Sequence, residues 1–367
     1  MKICYLADGS SIHVVRWLEW FQNRGHEICL IAQEAPALEG VETIRVPIKK
    51  GYFIPRPRML SAIRKAIRRT DPDIVHAHSV LGYGMYAALS KFHPLVVSAW
   101  GSDITVQPQT SLLVRQTCRF VLRRADLIHV GEPGATSTVG RLGGVGAVSK
   151  CLVLPWGVDT AEFSAIRRSE ELRASICPPD HTLFVADRHL EPIYRHEVLI
   201  RAVREVAKRT DRLVVAVAGS GSSAPALQEE GRRAGVMKVV KFLGEVPPRE
   251  MARWYASSDV YVECFASQMP GHGVGLSILE AMASGLPVLA ARRPALEGLV
   301  KDGVNGFLFD GERSGELADL MLRFVEDPSI VGKMGAAAAR SAADFGDREK
   351  TLRIFEQRMA DLAGARS

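Results

Sequence analysis

The sequence predicts an α/β protein built from two doubly wound parallel sheets. Two observations carry this. Apolar runs of strand length alternate with helical patterns along most of the 367 residues, and a βαβα order implies parallel sheets with helices on both faces. The length suits two ordinary domains, and a composition of 47% hydrophobic and 24% charged residues is globular.

In the first half, strands are expected near Ile3–Ala7, Glu27–Ala32, Thr43–Ile48, Asp73–His78, Leu95–Trp100, Leu127–Gly131 and Cys151–Pro155. Helical patterns near 12–24, 58–70, 82–91, 109–125 and 134–142 lie between several of them. In the second half, strands near Leu183–Asp187, Leu213–Gly219, Val239–Gly244, Val260–Cys264 and Pro287–Ala291 alternate with helices near 196–209, 224–234, 248–257 and 276–284. Segment 164–180 is polar, ends in Pro178-Pro179 and is the candidate linker. The expected division is therefore 1–163, 164–345 and a tail 346–367, with a cleft between two similar domains. Ligands on such sheets sit beyond the strand C-termini.

Residues 270–291 concentrate the chemistry. Gly273 and Gly275 let backbone N–H groups approach a ligand, and a helix starting at Leu276 or Ser277 offers unpaired N–H groups and a positive dipole end, which suits phosphate. Gly285 ends the helix and Leu286–Ala291 is an apolar strand. An ordinary loop–helix–strand unit has the same pattern. Ser277 and Glu280 have capping-box spacing, so Glu280 either closes its own helix or binds a ligand.

Other residues collect at strand ends. His76 and His78 share a strand face, as metal ligands or as hydrogen-bonded polar residues. Asp71-Pro72-Asp73 precedes a strand and reads as a turn, whereas Trp100-Gly101-Ser102-Asp103 and Gly219-Ser220-Gly221 end strands.

Composition excludes several classes. No apolar run reaches the roughly 18 residues of a membrane span, and the N-terminus lacks the apolar core and cleavage site of a signal peptide. Six cysteines without close sequence pairs argue against a disulfide framework or zinc site and for a reducing cytoplasm. The net charge of +6 lies wholly in the first half: residues 1–165 carry 19 Lys and Arg against 13 Asp and Glu, and residues 166–367 carry 28 of each. In 58–69, Met59, Leu60, Ile63, Ala66 and Ile67 recur opposite basic residues. That pattern fits a basic face for an anionic acceptor or membrane surface, and equally the solvated face of a packed helix.

Six segments, in order, resemble the retaining nucleotide-sugar glycosyltransferases of family 4, which have the GT-B fold of two Rossmann-like domains facing across a cleft. They are Arg24-Gly25-His26-Glu27-Ile28, Pro72-Asp73-Ile74-Val75-His76-Ala77-His78, Pro155-Trp156-Gly157-Val158-Asp159 followed by Phe163, Gly219-Ser220-Gly221, Phe242-Leu243-Gly244 and the 272–290 segment. The resemblance implies an acceptor-binding first domain, a donor-binding second domain, and a last helix near 347–362 that crosses back onto the first.

The resemblance also implies residue roles. Glu280 would bond the donor ribose, and Gly273, Val274, Gly275, Leu276 and Ser277 would bring N–H groups to sugar and diphosphate. Arg188 would neutralise the diphosphate. Gly9 and Ser10 would approach the phosphate, with Gly219 also on the donor side. Gly244, Glu245 and Val246 would touch the base. His13, His78, Trp100 and Asp103 would lie on the acceptor side.

Three positions depart from the family pattern. His272 stands where the family has a glutamate eight positions before Glu280. Trp100 replaces a histidine. The usual lysine after the arginine is missing, and Arg195 is the candidate for its charge.

The implied activity is metal-independent transfer, with retention, of a hexose-type sugar from a UDP- or GDP-sugar to a hydroxyl of a glycan, lipid-linked or small-molecule acceptor. No cofactor or nucleic acid is expected. Localisation would be cytoplasmic, with peripheral membrane contact through the basic first domain as one option. A non-catalytic nucleotide-sugar binder and a sugar-nucleotide epimerase are the alternatives.

Overall fold

The apolar runs become parallel strands, and the central ones are buried on both faces. A computed structural model describes residues 1–36, 38–48, 55–265 and 273–365. The first sheet contains β1 (Lys2–Leu6), β2 (Glu27–Ala32), β3 (Glu42–Arg45), β4 (Ile74–His78), β5 (Leu95–Ser98), β6 (Leu127–Val130) and β7 (Cys151–Val153) in the order β3-β2-β1-β4-β5-β6-β7. The second contains β8 (Thr182–Ala186), β9 (Leu213–Ala218), β10 (Val240–Gly244), β11 (Val260–Glu263), β12 (Val288–Ala291) and β13 (Gly306–Phe309) in the order β10-β9-β8-β11-β12-β13. Every pairing is parallel. The strand order reverses between β1 and β4 in the first sheet and between β8 and β11 in the second. Those two points are where an open α/β sheet leaves room for a ligand.

The chain divides into two compact units. One comprises Met1–Pro155 with Thr351–Ser367, and the other Trp156–Gln268 with Val274–Lys350. In the first unit, helix Pro57–Thr70 buries Ile63, Ala66, Ile67 and Thr70. Its basic residues form the outer, solvated side of a packed helix, where Arg69 pairs with Glu42 and Arg64 donates to the Leu89 carbonyl. Asp71 ends that helix in the left-handed region (φ 42°), and Asp73 accepts from the Lys2 N–H at 2.7 Å, so Asp71-Pro72-Asp73 is a turn. Helices Ile12–Asn23 and Arg348–Gly364 bring Trp17 and Phe355 against the histidines of the sheet.

Segment 164–180 is not an extended tether. It forms the helix Glu170–Ala174, and Arg173 reaches Asp259 at 2.9 Å and the carbonyls of Ser257 and His181. Phe163 and Cys177, at or beside its ends, are buried in the second core. Cys4 and Cys29 are far apart in sequence but stand opposite each other on β1 and β2, both buried as free thiols. Their mutual contact, with burial, pushes the Cys4 thiol well up. Among the described residues no helix is long and apolar enough to cross a membrane.

Candidate active site

The second unit places a charged network at its strand-order reversal. β8 runs out into Asp187 and Arg188, and β11 ends on Glu263, whose side chain is fully buried. Arg188 Nε lies 3.5 Å from Glu263 Oε1, and Arg293, itself only 2% exposed, places Nη2 2.7 Å from Oε2. Neither contact is aligned as a hydrogen bond, so Glu263 acts as a buried counter-charge between two guanidinium groups. Arg293 is held by the Phe265 carbonyl at 3.1 Å and by the Phe265 ring.

Arg188 is further fixed by the Tyr194 ring, 4.6 Å away, and by Ser277 Oγ, which accepts from Nη1 at 3.1 Å. Burial works against its charge, but Glu263, Tyr261, Tyr194 and Asp187 together raise its pKa and keep it a cation. Tyr261 Oη lies 2.9 Å from Asp187 Oδ1 and 3.1 Å from Ser277 Oγ, and Tyr255 donates to the other Asp187 oxygen. Burial raises the Asp187 pKa, opposed by these tyrosines.

Helix Leu276–Ala283 begins in this network. Its N-cap is Gly275, and no side chain caps it. The capping-box reading of Ser277 and Glu280 therefore fails: Ser277 lies inside the helix and spends its Oγ on Arg188 and Tyr261. Gly275 is required for space rather than conformation, since its φ is −64° and a Cβ there would come 2.9 Å from Arg188 Nη1. The helix start thus brings orphan N–H groups and a fixed guanidinium together, the two features that bind a phosphate. Glu280 is half-buried on the same helix.

Gly219 (φ 126°) donates to the Gly244 carbonyl at 2.7 Å, and a Cβ on it would meet the Arg188 carbonyl at 2.8 Å. Gly244 and Glu245 are exposed, whereas Val246, Val274 and Leu276 pack on the second core. Gly273 divides with the first unit, where a Cβ would lie 3.4 Å from Glu132. His272 lies outside the described residues.

The structure gives Arg195 other partners than those expected: it pairs with Glu312, and with Glu197 at 3.5 Å, so carboxylates already neutralise it. The second guanidinium at the Glu263 carboxylate is Arg293. Sequence reasoning missed Glu263, Arg293 and Asp187. Their signal was a charged residue at or just beyond the end of an apolar strand.

In the first unit, Gly9 is buried so closely that a Cβ would sit 2.2 Å from the Glu34 carbonyl oxygen, and Ser10 Oγ donates to Asp8 Oδ1 at 2.7 Å. His13 and His78 flank Trp100 at 5.9 and 6.1 Å. Asp103 is buried and accepts from the N–H groups of Val80 and Trp100, so it shapes the loop that carries Trp100. Burial raises its pKa, opposed by those backbone bonds.

His76 Nε2 lies 2.8 Å from Ser98 Oγ, which reaches His129 Nδ1 at 3.1 Å. Burial lowers all three histidines, His76 well below its usual range, His78 to about 3 and His129 to about 4. Among the described residues, no three His, Cys, Asp or Glu side chains are grouped to hold a metal.

Comparison with known proteins assigns the family. A family model described as glycosyl transferase 4-like matches residues 2–131, and one described as glycosyl transferases group 1 matches residues 180–327. The D-inositol 3-phosphate glycosyltransferase of Actinosynnema mirum is 33% identical over 386 aligned residues, covering 92% of this chain and 89% of that protein. The chain belongs to the group 1 glycosyltransferases. A second relative in this family, D-inositol 3-phosphate glycosyltransferase 2 of Catenulispora acidiphila, is 30% identical, covering 84% of this chain and 78% of that protein.

Solved structures carry the GT-B fold of this glycosyltransferase. Sucrose-phosphate synthase from Thermosynechococcus elongatus superposes over 100% of both chains with a TM-score of 0.81 and 18% identity. Anabaena HepE in complex with UDP-glucose covers 99% of this chain and 100% of its own, with a TM-score of 0.79 and 20% identity.

Proposed function

We propose that this glycosyltransferase moves a hexose-type sugar from a UDP- or GDP-sugar to a hydroxyl-bearing acceptor, with retention of configuration and without a metal. The observation that carries the reading is Arg188, fixed by Glu263, Tyr194 and Ser277 beside the start of helix Leu276–Ala283. Its Nη2 has no partner among the described residues, so a donor remains for a phosphate oxygen.

The slow event in such a reaction is departure of the nucleoside diphosphate as positive charge grows on the sugar. Arg188 and the helix N–H groups stabilise the negative charge that develops on the leaving oxygen. They supply the charge that a divalent ion would otherwise bring. The acceptor hydroxyl attacks from the side the diphosphate leaves, and the departing phosphate takes its proton, so no protein nucleophile is needed.

Glu280 is assigned to the ribose hydroxyls and the Gly244–Val246 turn to the base. His13, His78 and Trp100 are assigned to the acceptor, with Asp103 shaping the Trp100 loop. UDP is the expected nucleotide because the HepE structures hold UDP and UDP-glucose. An anionic polyol acceptor fits the relatives named for D-inositol 3-phosphate and the excess basic charge of the first half.

The test is thermal unfolding with UDP, GDP and their sugar conjugates, without added metal. Ligand at about 100 times Kd adds roughly 2.7 kcal/mol, a shift of a few degrees. The shift should vanish in Arg188→Ala, with transfer falling about 1,000-fold. A folded protein that no nucleotide stabilises, or wild-type transfer by Arg188→Ala, overturns the assignment.

A further inference from the structure

Helix Leu112–Arg124 in the first unit combines two features that the transfer reading leaves unused. The first is exposed apolar surface: Leu112 is 69% exposed, Leu113 52% and Phe120 39%. At 100° per residue, Leu112, Leu113, Gln116, Phe120 and Arg123 fall within one arc of about 100°, opposite the buried Val114, Cys118, Val121 and Leu122. A monomer has no use for three large apolar side chains along one outward arc.

The second feature is unneutralised charge. Arg115 and Arg119 flank the arc on one side and Arg124 on the other, and the helix contains no acidic residue. None of its four arginines has a direct carboxylate partner among the described residues; Arg124 Nη2 lies 3.0 Å from His93 Nε2, whose other ring nitrogen meets Asp126 at 2.6 Å. Arg115 and Arg123 instead place Nε on the carbonyls of Pro108 and Gly143, which anchors the side chains and leaves both Nη groups of each available. In the second unit, by contrast, Arg173, Arg188, Arg195, Arg201, Arg292 and Arg293 all face carboxylates.

We propose that helix Leu112–Arg124 is a docking surface for an anionic lipid bilayer. Leu112, Leu113 and Phe120 enter the interfacial layer while the arginines meet lipid phosphates. Charge complementarity selects this occupant: an apolar arc bordered by guanidiniums without direct carboxylate partners matches a surface with acyl chains below and phosphates above. The helix is also linked to the site. It follows the Trp100–Asp103 loop through the turn Gln107–Gln109, on which Arg115 is anchored. Docking would therefore hold the assigned acceptor residues next to the membrane, where a lipid-linked acceptor resides. The proposal goes beyond the transfer reading and stands whether or not a nucleotide binds.

The experiment is co-sedimentation of the whole protein with vesicles of phosphatidylcholine alone and of phosphatidylcholine mixed with phosphatidylglycerol. Binding is expected only with the anionic vesicles and should weaken as salt rises. A Leu112→Ser, Leu113→Ser, Phe120→Ser variant and a separate Arg115→Gln, Arg119→Gln variant should each lower the bound fraction about tenfold. Both should keep the wild-type unfolding temperature and response to UDP, which separates a lost surface from a lost fold.

Several results overturn the proposal. They are a folded wild type that does not bind anionic vesicles or binds both vesicle types equally, and binding that is undiminished in both variants. Binding abolished by about 10 mM inorganic phosphate at constant ionic strength indicates an isolated phosphate site instead. Wild-type self-association that the serine variant abolishes shows that the face covers a second copy of the chain.

Discussion

The two sheets share a topology but end in opposite chemistry. At the reversal of the first, between β1 and β4, the buried groups are aromatic rings and imidazoles kept neutral by burial. At the reversal of the second, between β8 and β11, they are two guanidiniums set against one buried carboxylate. One fold thus supports an uncharged site and an ionic one. The polar side chains within and just beyond these strands decide which: His76 and His78 belong to β4 and Glu263 ends β11, while Arg188 and Arg293 follow β8 and β12.

The largest effect should come from breaking the ionic side. Glu263→Ala leaves Arg188 and Arg293 buried without their counter-charge, and should cost about 3–5 kcal/mol in urea unfolding. A loss below 1 kcal/mol would show that water or another group already screens the pair.

Acid should separate the two sites next. The folded-state pKa values of His78 and His129 lie below the unfolded value, so the unfolded chain binds more protons as pH falls. Their stabilisation is complete above about pH 6.5 and is lost downward through about 4 for His129 and about 3 for His78. Through these two imidazoles stability should fall by roughly 3 kcal/mol between pH 6.5 and about 5, and a His78→Gln, His129→Gln variant should flatten that slope. Arg188 does not titrate in this range, so an unchanged slope in the variant would place the acid sensitivity elsewhere.

The smallest effect sharpens the geometry of the ionic site. Gly275→Ala puts a methyl 2.9 Å from Arg188 Nη1, close enough that the guanidinium must shift. It should weaken nucleotide binding about tenfold while costing under about 1 kcal/mol of stability. Affinity equal to wild type would show that Arg188 can yield without loss.

Much of the fold was legible because period and run length are local properties. Twelve strands and the major helices before residue 291 lie close to where the apolar runs put them. After it only the last helix, near 347–362, was read, and that from the resemblance; it is Arg348–Gly364. β13 is only the four residues Gly306–Phe309, and helix Ser329–Gly346 carries so many small residues that no apolar stripe stands out. Its packing is real all the same: a Cβ on Gly335 would meet the Gly285 carbonyl at 2.1 Å.

Arg188, Gly275 and Ser277 were visible from spacing and resemblance. Glu263 and Arg293 were not, because a counter-ion is chosen by the fold and not by neighbours in sequence. Arg195 illustrates the same limit, since its partner Glu312 lies 117 positions away.

The first unit is not a continuous stretch of chain. Phe355 packs on Trp17, His76 and His129, and Glu356 binds Arg24 and His26. At about 5–20 residues per second, roughly 10–40 s of translation separate the first 155 residues from the helix that covers them. During that interval the nascent domain carries an uncovered aromatic face while its neighbour is still being made. Of the two units, the one whose synthesis starts earlier is therefore completed later, and a chaperone has its longer opportunity there.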